Sequence, residues 1–294
     1  MTSFNVGNYK GKRTQMRNEY EITFETKCYE NDWEYLLKTN YLDNQILNCN
    51  IDFTFKQLII NNVHNKNMVR IWAQKKKDKG IIDDYYFVDD YIDKALHFFD
   101  LQKNSFGDGY YYSSSELVGL YLSKTKYHLH FSSDSFLQSR LKINENWICD
   151  AYDIMEKNKD YIVANPTWNM DFLGAKAEAF DRINDFFISY GFSDQCYLVK
   201  TKIFRDKIYN FTHHESERYP IYGGELFEKR VDSFMRTNNL YRLTSSKQNY
   251  IHFNFPRYDG LKKKLLVCLI KINIYVLFIG AVNIHKKIRR CIFG

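Results

Sequence analysis

The chain has 294 residues, 45% hydrophobic and 17% aromatic with only three prolines, which is enough apolar material for a large packed core and argues against disorder. The net charge of +7 comes from the end of the chain. Residues 1–260 contain 34 basic and 35 acidic side chains, whereas residues 261–294 contain eight basic and no acidic ones. Because residues 1–260 carry no excess positive charge, a typical nucleic-acid-binding domain is excluded. The six cysteines include no CxxC pair, which favours a reducing compartment over a disulfide framework or a cysteine zinc site.

Strand-like and helix-like patterns alternate along most of the chain. Residues 1 to 18 are polar, lack the apolar stretch of a secretory signal, and predict a loose arm. The predicted elements that follow, in chain order, are a strand from Ile22 to Lys27, a helix with Trp33, Leu36 and Leu37, a strand from Leu58 to Ile60, a helix with Ile92, Ala95, Leu96 and Phe99, a helix with Leu117, Leu120 and Tyr121, a strand from Tyr127 to Phe131, a helix from Trp147 to Lys157, a strand in YIVANPTW (161–168), and a helix with Leu226, Phe227, Val231, Phe234 and Met235. Ser113 and Glu116 have the spacing of a capping box, which predicts a helix start at that point.

This alternation predicts an α/β fold with a mainly parallel central sheet flanked by helices. In open α/β sheets, ligands bind in the crevice beyond the carboxyl ends of the strands. Small polar or acidic residues follow several of the predicted strands, and we expect them to line one cleft. These residues are Thr26 and Lys27, Asn61 and Asn62, Ser132, Ser133 and Asp134, and Asn165 to Trp168.

The stretch YHLHFSSDSF (127–136) runs from an apolar strand into hydroxyls and a carboxylate. A carboxylate in that position suits Mg²⁺ or Mn²⁺, which prefer oxygen ligands and keep open positions for substrate phosphates. The alternative is that Asp134 only caps the following turn, as aspartate often does.

The order of these segments resembles that of GT-A glycosyltransferases, most closely the family 2-like enzymes of bacterial surface-polysaccharide synthesis. The resemblance extends over roughly residues 20 to 255 and implies a GT-A-like, Rossmann-like sheet. FKQLIINNVHN is similar to the family's second strand, with Asn61 where an aspartate is usual. YHLHFSSDSF is similar to the strand that ends in the Asp-x-Asp metal motif, so that Asp134 matches the metal-binding aspartate and Ser132 stands in place of the first.

Two later segments extend the resemblance. GFSDQCYLVKTKIF (191–204) places Asp194 and Gln195 where the family contacts the sugar or the acceptor, although Ser193 or Asp194 could instead cap a helix. YPIYGGELFEKR (219–230) is similar to the segment that carries the catalytic base, with Glu225 at the matching position and Glu228 as its substitute. A glutamate in a first helical turn is also favoured by the helix dipole alone.

Two aromatic side chains complete the candidate site. His252 stands where some relatives supply a further metal or diphosphate ligand, although a lone histidine is more often a packed or surface residue. Trp168 could stack on a sugar ring, although burial is the commoner fate of a tryptophan.

The end of the chain is apolar and basic. About twenty mostly apolar residues, Leu265 to Ile284, lie between two clusters of lysine and arginine, and Lys271 interrupts them. A lysine in mid-bilayer costs roughly 2.5–3.5 kcal/mol on insertion scales. A helix lying in the membrane interface, with its basic residues on anionic headgroups, therefore fits better than a spanning helix. The alternative is an ordinary buried C-terminal helix.

These observations predict three parts: an arm (1–18), a glycosyltransferase domain (19–260) and a membrane-associating tail (261–294). The resemblance implies the activity of a nucleotide-sugar-dependent hexosyltransferase that uses Mn²⁺ or Mg²⁺ and acts on a lipid-linked or surface-glycan acceptor, which with the tail we expect at the cytoplasmic face of the inner membrane. The alternatives are a nucleotidyl- or phosphotransferase and a non-catalytic glycan-binding protein. The resemblance implies these roles: general base Glu225, Glu228 or Asp194; donor binding by Thr26, Asn61, Ser132, Ser133, Asp134 and Gln195; and metal binding by Asp134 and His252.

Overall fold

The computed structural model describes residues 20–220 and 225–252, together with the single positions Leu261, Lys264, Leu265 and Cys268, which are exposed. The predicted N-terminal arm, the glycines at 223 and 224, and the rest of the predicted tail lie outside the described residues. Within the described part of the chain, no helix has both the length and the apolar character needed to cross a bilayer.

The strands and helices follow the predicted alternation. In chain order they are β1 (Ile22–Cys28), α1 (Trp33–Lys38), α2 (Tyr41–Asn48), β2 (Phe55–Ile60), α3 (Lys66–Asp78), β3 (Asp84–Phe87), α4 (Val88–Phe99), α5 (Tyr110–Leu122), β4 (Tyr127–Phe131), β5 (Ser135–Phe136), α6 (Trp147–Lys157), β6 (Tyr161–Trp168), α7 (Phe172–Glu178), β7 (Asp181–Ile183), β8 (Phe186–Ser189), β9 (Cys196–Lys200), α8 (Thr201–Phe204), α9 (Phe227–Thr237) and β10 (Tyr241–His252). Two 3₁₀ segments lie at Lys103–Gly109 and His214–Arg218.

One central sheet joins these strands in the order β3-β2-β1-β4-β9-β6-β10-β8-β7, and β5 pairs with β10. Strands β1 to β4 are parallel to one another, and β6 is parallel to β10. Strand β9 lies antiparallel between β4 and β6, so these two blocks point the same way. With β7, seven of the ten strands in the described part of the chain share one direction, and the predicted α/β fold with a mainly parallel sheet is confirmed.

Hydrophobic cores cover both faces of the sheet. On one face α1, α2, α3 and α6 pack against side chains such as Phe24 and Leu129, and on the other α4, α5 and α9 pack against side chains such as Ile59 and Val199. Alternate residues of a strand point to opposite faces. Consequently both faces of β4 are buried, and His128 and His130 are enclosed as fully as the apolar residues between which they stand.

Two local predictions are wrong. Helix α5 begins at Tyr110, so Ser113 and Glu116 lie inside it rather than forming its capping box. The Ser113 hydroxyl donates to Gly109 O instead, and Glu116 is fully buried. Likewise, Asp194 precedes strand β9 rather than a helix, so the alternative of a helix cap at Ser193 or Asp194 fails.

Candidate active site

Charged side chains from distant parts of the sequence meet at one edge of the sheet. Strands β1, β4 and β10 all end at this edge, and the antiparallel strand β9 begins there. This edge is where α/β proteins bind ligands. We call the group the edge cluster; its members are Lys27, Glu116, Asp134, Asp194, Glu228 and His252.

The hydroxyl groups after β4 hold the tip of the loop in place. Ser132 Oγ donates to Asp134 Oδ1 at 3.0 Å and lies 2.7 Å from Ser135 Oγ. The amide of Gln45 donates to the carbonyl groups of Ser132 and Ser135 at 3.2 and 2.7 Å. Ser132 thus orients the carboxylate of Asp134, which is 19% exposed and open to a ligand.

His252 stands directly beside that carboxylate. Its Nε2 is 3.3 Å from Asp134 Oδ2, and its backbone N–H donates to Asn169 Oδ1 at 2.8 Å. Burial lowers the pKa of His252, but the hydrogen bond and charge of Asp134 outweigh burial and raise the pKa above its ordinary value. The structure therefore brings together the two residues that the sequence suggested as metal ligands.

Lys27 is the cation of the edge cluster. Its ammonium group contacts the buried carboxylate of Glu116 and lies 3.9 Å from Asp194 Oδ2. Burial lowers the pKa of Lys27, but these two carboxylates outweigh burial and raise it above the ordinary value. The lysine is therefore charged and offsets part of the negative charge at the edge.

Of the two glutamates in the segment 219–230, Glu228 is the one that belongs to the edge cluster. It lies in the first turn of α9, where its carboxyl accepts a hydrogen bond from the backbone N–H of Asp194. Burial, followed by the charge of Asp194, raises the pKa of Glu228 to about 8. A carboxyl group with a pKa near neutrality can take up and release protons in catalysis.

Glu225 is placed differently. It precedes α9, and its carboxylate lies 2.9 Å from Lys229 Nζ and 3.0 Å from Arg230 Nε. The structure therefore pairs Glu225 with two cations of its own segment, not with the edge cluster.

The predicted donor-binding side chains lie at or just behind this edge. Thr26 is fully buried and donates to Phe131 O at 2.8 Å, and Asn61 Nδ2 donates to Ser114 Oγ at 3.1 Å. Ser133 donates to the carboxylate of Asp32, and Gln195 Oε1 accepts from the Tyr250 hydroxyl at 3.2 Å. These side chains form hydrogen bonds within the protein and so hold the edge of the sheet in place.

Asp32 is an acidic neighbour that the sequence did not single out. It is 2% exposed, and it accepts hydrogen bonds from Ser133 and from the N–H of Tyr29. Burial raises the pKa of Asp32 to about 8, helped by the nearby charge of Asp134 and opposed by these hydrogen bonds.

Trp168 is 48% exposed at the end of β6, so the alternative of a buried tryptophan is wrong. The residue that follows it, Asn169, holds the backbone of His252 through hydrogen bonds in both directions. Trp168 is therefore exposed and directly precedes the residue that holds the backbone of His252.

A second group that could hold a metal ion lies inside the protein. Glu25, His128 and His130, which we call the buried triad, offer one ligand atom each, all within 4.8 Å of one another. Burial raises the pKa of Glu25, but the two histidines outweigh burial and lower it to about 2. Neither the motifs nor the family resemblance indicated this group, although the alternation in YHLHF places both histidines on one face of β4.

A cavity of about 420 Å³ lies between α1 and α3 and shares no lining residue with the edge cluster. Its walls include Trp72 and the lysines at positions 38, 75, 76 and 79.

The contact between Lys27 and Glu116 leads to a stability prediction. Glu116 is 0% exposed, so Lys27→Met leaves a buried charge without its partner, and we expect a loss of about 3–5 kcal/mol in the free energy of unfolding. Urea denaturation measures this loss, and adding Glu116→Leu should restore most of it. Lys142→Met, which removes an exposed pair with Glu145, should cost less than about 1 kcal/mol. Equal losses in the two single variants would contradict the assignment.

No protein-family model and no curated protein sequence matches the chain. Solved structures of similar fold include the galactosyltransferase LgtC in complex with donor and acceptor sugar analogues, at 12% identity and a TM-score of 0.40, covering 76% of this chain and 72% of that one. Another is GalNAc-T7 with UDP, GalNAc and Mn²⁺, at 10% identity and a TM-score of 0.49, covering 85% of this chain and 48% of that one. A third is the fragment 1–349 of S. aureus TarS, at 11% identity and a TM-score of 0.39, covering 79% of this chain and 60% of that one.

Proposed function

We propose that the protein is a glycosyltransferase that moves a sugar from a nucleotide-sugar donor to a hydroxyl group of an acceptor. The observation that carries this proposal is the partly exposed pair of Asp134 and His252, 3.3 Å apart, at the carboxyl-terminal edge of the sheet. The resemblance of YHLHFSSDSF to the metal-binding strand of GT-A enzymes supports it, because Asp134 is the residue that matches.

The side chains at this edge fit a divalent cation. A carboxylate oxygen and an imidazole nitrogen, each partly exposed, form a donor set that Mn²⁺ accepts, and the carboxylate alone would also suit Mg²⁺. Asp134 and His252 would hold the ion, with Ser132 orienting the carboxylate. A bound ion would supply neutralising charge for the donor's diphosphate.

Among the nearby carboxyl groups, Glu228 is the best placed to act as general base. Its carboxylate would take the proton of the acceptor hydroxyl while the acceptor oxygen bonds to the anomeric carbon. The bond from that carbon to the phosphate oxygen breaks in the same step, and the nucleoside diphosphate leaves with the electron pair. Lys27, charged and 3.9 Å from Asp194, would add positive charge on the side of the leaving group.

This assignment applies to a reaction that inverts the anomeric centre. In a retaining reaction Asp194, whose side chain is 34% exposed, would face the sugar instead. The exposed ring of Trp168 would offer a stacking surface for a sugar ring of the acceptor.

The apolar and basic composition after Gly260 supports a further part of the proposal, that the protein works on a lipid-linked or surface-glycan acceptor at the cytoplasmic face of the inner membrane. Deletion of the residues after Gly260 should move the protein from the membrane pellet to the supernatant. Persistent pelleting of the truncated chain would contradict this part.

A panel of nucleotide sugars tests the proposed activity. The full chain should hydrolyse or transfer at least one donor and release a nucleoside diphosphate, faster with Mn²⁺ than with a chelator. The same donor should raise the Tm, because a ligand that binds only the folded state stabilises it by mass action. Release of pyrophosphate instead would indicate a nucleotidyltransferase. Binding of glycans without any donor turnover would indicate a non-catalytic glycan-binding protein.

A further inference from the structure

The buried triad lies on β1 and β4, two of the strands that end at the edge cluster. Glu25 on β1 lies directly opposite His130 in the parallel pairing with β4, and His128 points to the same face two residues earlier. All three side chains are 0–1% exposed; Gly119 of α5 lies against Glu25, and the ring of Tyr197 stacks on both histidines. This site is therefore distinct from the edge, where Asp134 and His252 are partly exposed.

The spacing of the ligand atoms suits a small tetrahedral ion. Glu25 Oε1 lies 3.1 Å from His130 Nδ1 and 3.5 Å from His128 Nε2. Zinc binds nitrogen and carboxylate oxygen at about 2.0–2.1 Å, which places two ligands of a tetrahedral ion about 3.4 Å apart. These two separations lie on either side of that value, and the third, between the ligand nitrogens of the two histidines, is at most 4.8 Å.

Several buried polar atoms around the triad have no hydrogen-bond partner among the residues that the structure describes. They are both nitrogens of His128, Nε2 of His130, Oε1 of Gln57 and the hydroxyl of Tyr197. A buried polar group without a partner is costly, and an ion is one of the explanations for it. Of these atoms, only His128 Nε2 faces the Glu25 carboxylate, 3.5 Å from Oε1, which is too long for a good hydrogen bond, so it is the one that an ion held by the triad would satisfy.

The surroundings hold the ligands in place. Gln57 Nε2 donates to Glu25 Oε2 at 2.5 Å and to Gly119 O at 3.0 Å. The ring of Tyr197 stacks on the ring of His130 with centroids 4.8 Å apart. Gly119 leaves room for the carboxylate, since a Cβ at that position would clash with Glu25 Oε2. In metal sites, contacts of this kind between the ligands and the surrounding protein fix the orientation of the ligands.

We propose that Glu25, His128 and His130 bind one Zn²⁺ ion, or a divalent ion of the same preference, at a buried site where they fill three of the four tetrahedral positions and a water molecule takes the fourth. Two imidazoles and a carboxylate are zinc ligands, and complete burial excludes a substrate from the ion. The ion links β1 to β4 beneath Lys27 and Asp134 and so stabilises the edge. This site does not depend on the proposed transferase activity.

The metal content of the purified full chain tests the proposal. Elemental analysis after reconstitution with Zn²⁺ and removal of free metal should find about one zinc per chain, and X-ray absorption should find two imidazole nitrogens at about 2.0–2.1 Å. Chelation should lower the Tm by roughly 5 °C or more, and Zn²⁺ should restore it.

Variants locate the ion. His128→Gln and His130→Gln should lose the zinc, whereas the exposed control His97→Gln and the edge variant Asp134→Ala should keep it. A chain that holds no zinc and shows no Tm response to Zn²⁺ would overturn the proposal. So would zinc that is lost in Asp134→Ala but kept in the histidine variants, since the ion would then belong to the edge. Where the histidine variants fail to fold, the absorption spectrum of the wild-type chain decides.

Discussion

Replacing Asp134 with alanine should reduce metal-stimulated turnover of the donor by at least about 100-fold, because the loss even of a group that only supports a metal ligand costs about 10–100-fold. The carboxylate of Asp134 is the group that Ser132 orients and that His252 contacts at 3.3 Å. Without it, His252 would be left to hold the ion, and the charge of the donor's diphosphate would be poorly neutralised. Donor turnover as a function of Mn²⁺ concentration measures the effect, and we expect both a lower kcat and a weaker response to Mn²⁺.

Asp153→Ala provides the matched control for this experiment. Asp153 is an exposed carboxylate on α6, away from the edge cluster, and its loss should leave turnover unchanged. Unfolding by urea should show that Asp134→Ala remains folded. If the folded variant kept wild-type turnover and the same Mn²⁺ dependence, Asp134 would have no part in metal binding.

Glu228→Gln should lower kcat by roughly 100- to 10 000-fold, the range that a positioned general base contributes. The wild-type protein should also show a distinctive pH profile. Since the pKa of Glu228 is raised to about 8, the carboxylate is mostly protonated at neutral pH and becomes an active base above it. We therefore expect kcat/KM to rise with pH up to a plateau above about 8, and the variant to lose this rise.

Deprotonation of Glu228 raises the expected activity but lowers the stability of the folded protein. Between the unfolded pKa of 4.5 and the folded value of about 8, the folded state holds a proton that the unfolded state has released. The contribution of Glu228 to the free energy of unfolding therefore falls as pH rises through this window. Glutamine does not titrate, so Glu228→Gln should gain stability relative to the wild type between about pH 5 and about pH 9.

Variants of two other glutamates test whether Glu228 is the general base. Glu217→Gln changes an exposed partner of Lys229 and should leave both kcat and the pH profile unchanged. If Glu225→Gln, rather than Glu228→Gln, removed the pH-dependent rise, the base would be the residue that the sequence resemblance indicated first.

The periodicity of the apolar residues predicted most of the elements correctly. The strand at 127–131 and the helix at 147–157 have the predicted bounds, and the strands around Phe24 and Ile59 were also found. These elements were predictable because each buries an apolar face, which leaves a local pattern of period two or about 3.6 in the sequence. The capping-box match at Ser113 was misleading because such short patterns also occur inside helices.

The partners of the charged groups could not be read from the sequence. Glu225 and Glu228 stand three residues apart, yet one pairs with Lys229 and Arg230 while the other meets Asp194, because α9 begins between them and its packing decides which side faces the edge. Glu116 is a similar case, since only the position of α5 over β1 brings it to Lys27.

The sequence by itself determined that this chain folds as α/β layers with polar residues beyond its strands, since burial of apolar faces is a local requirement. It also indicated Asp134 and His252 as candidates. Only the tertiary structure decided that these two lie 3.3 Å apart and that Glu25 lies between two buried histidines. The physical reason is that such contacts depend on which strands become neighbours, and strand order follows from packing across the whole sheet rather than from any one segment.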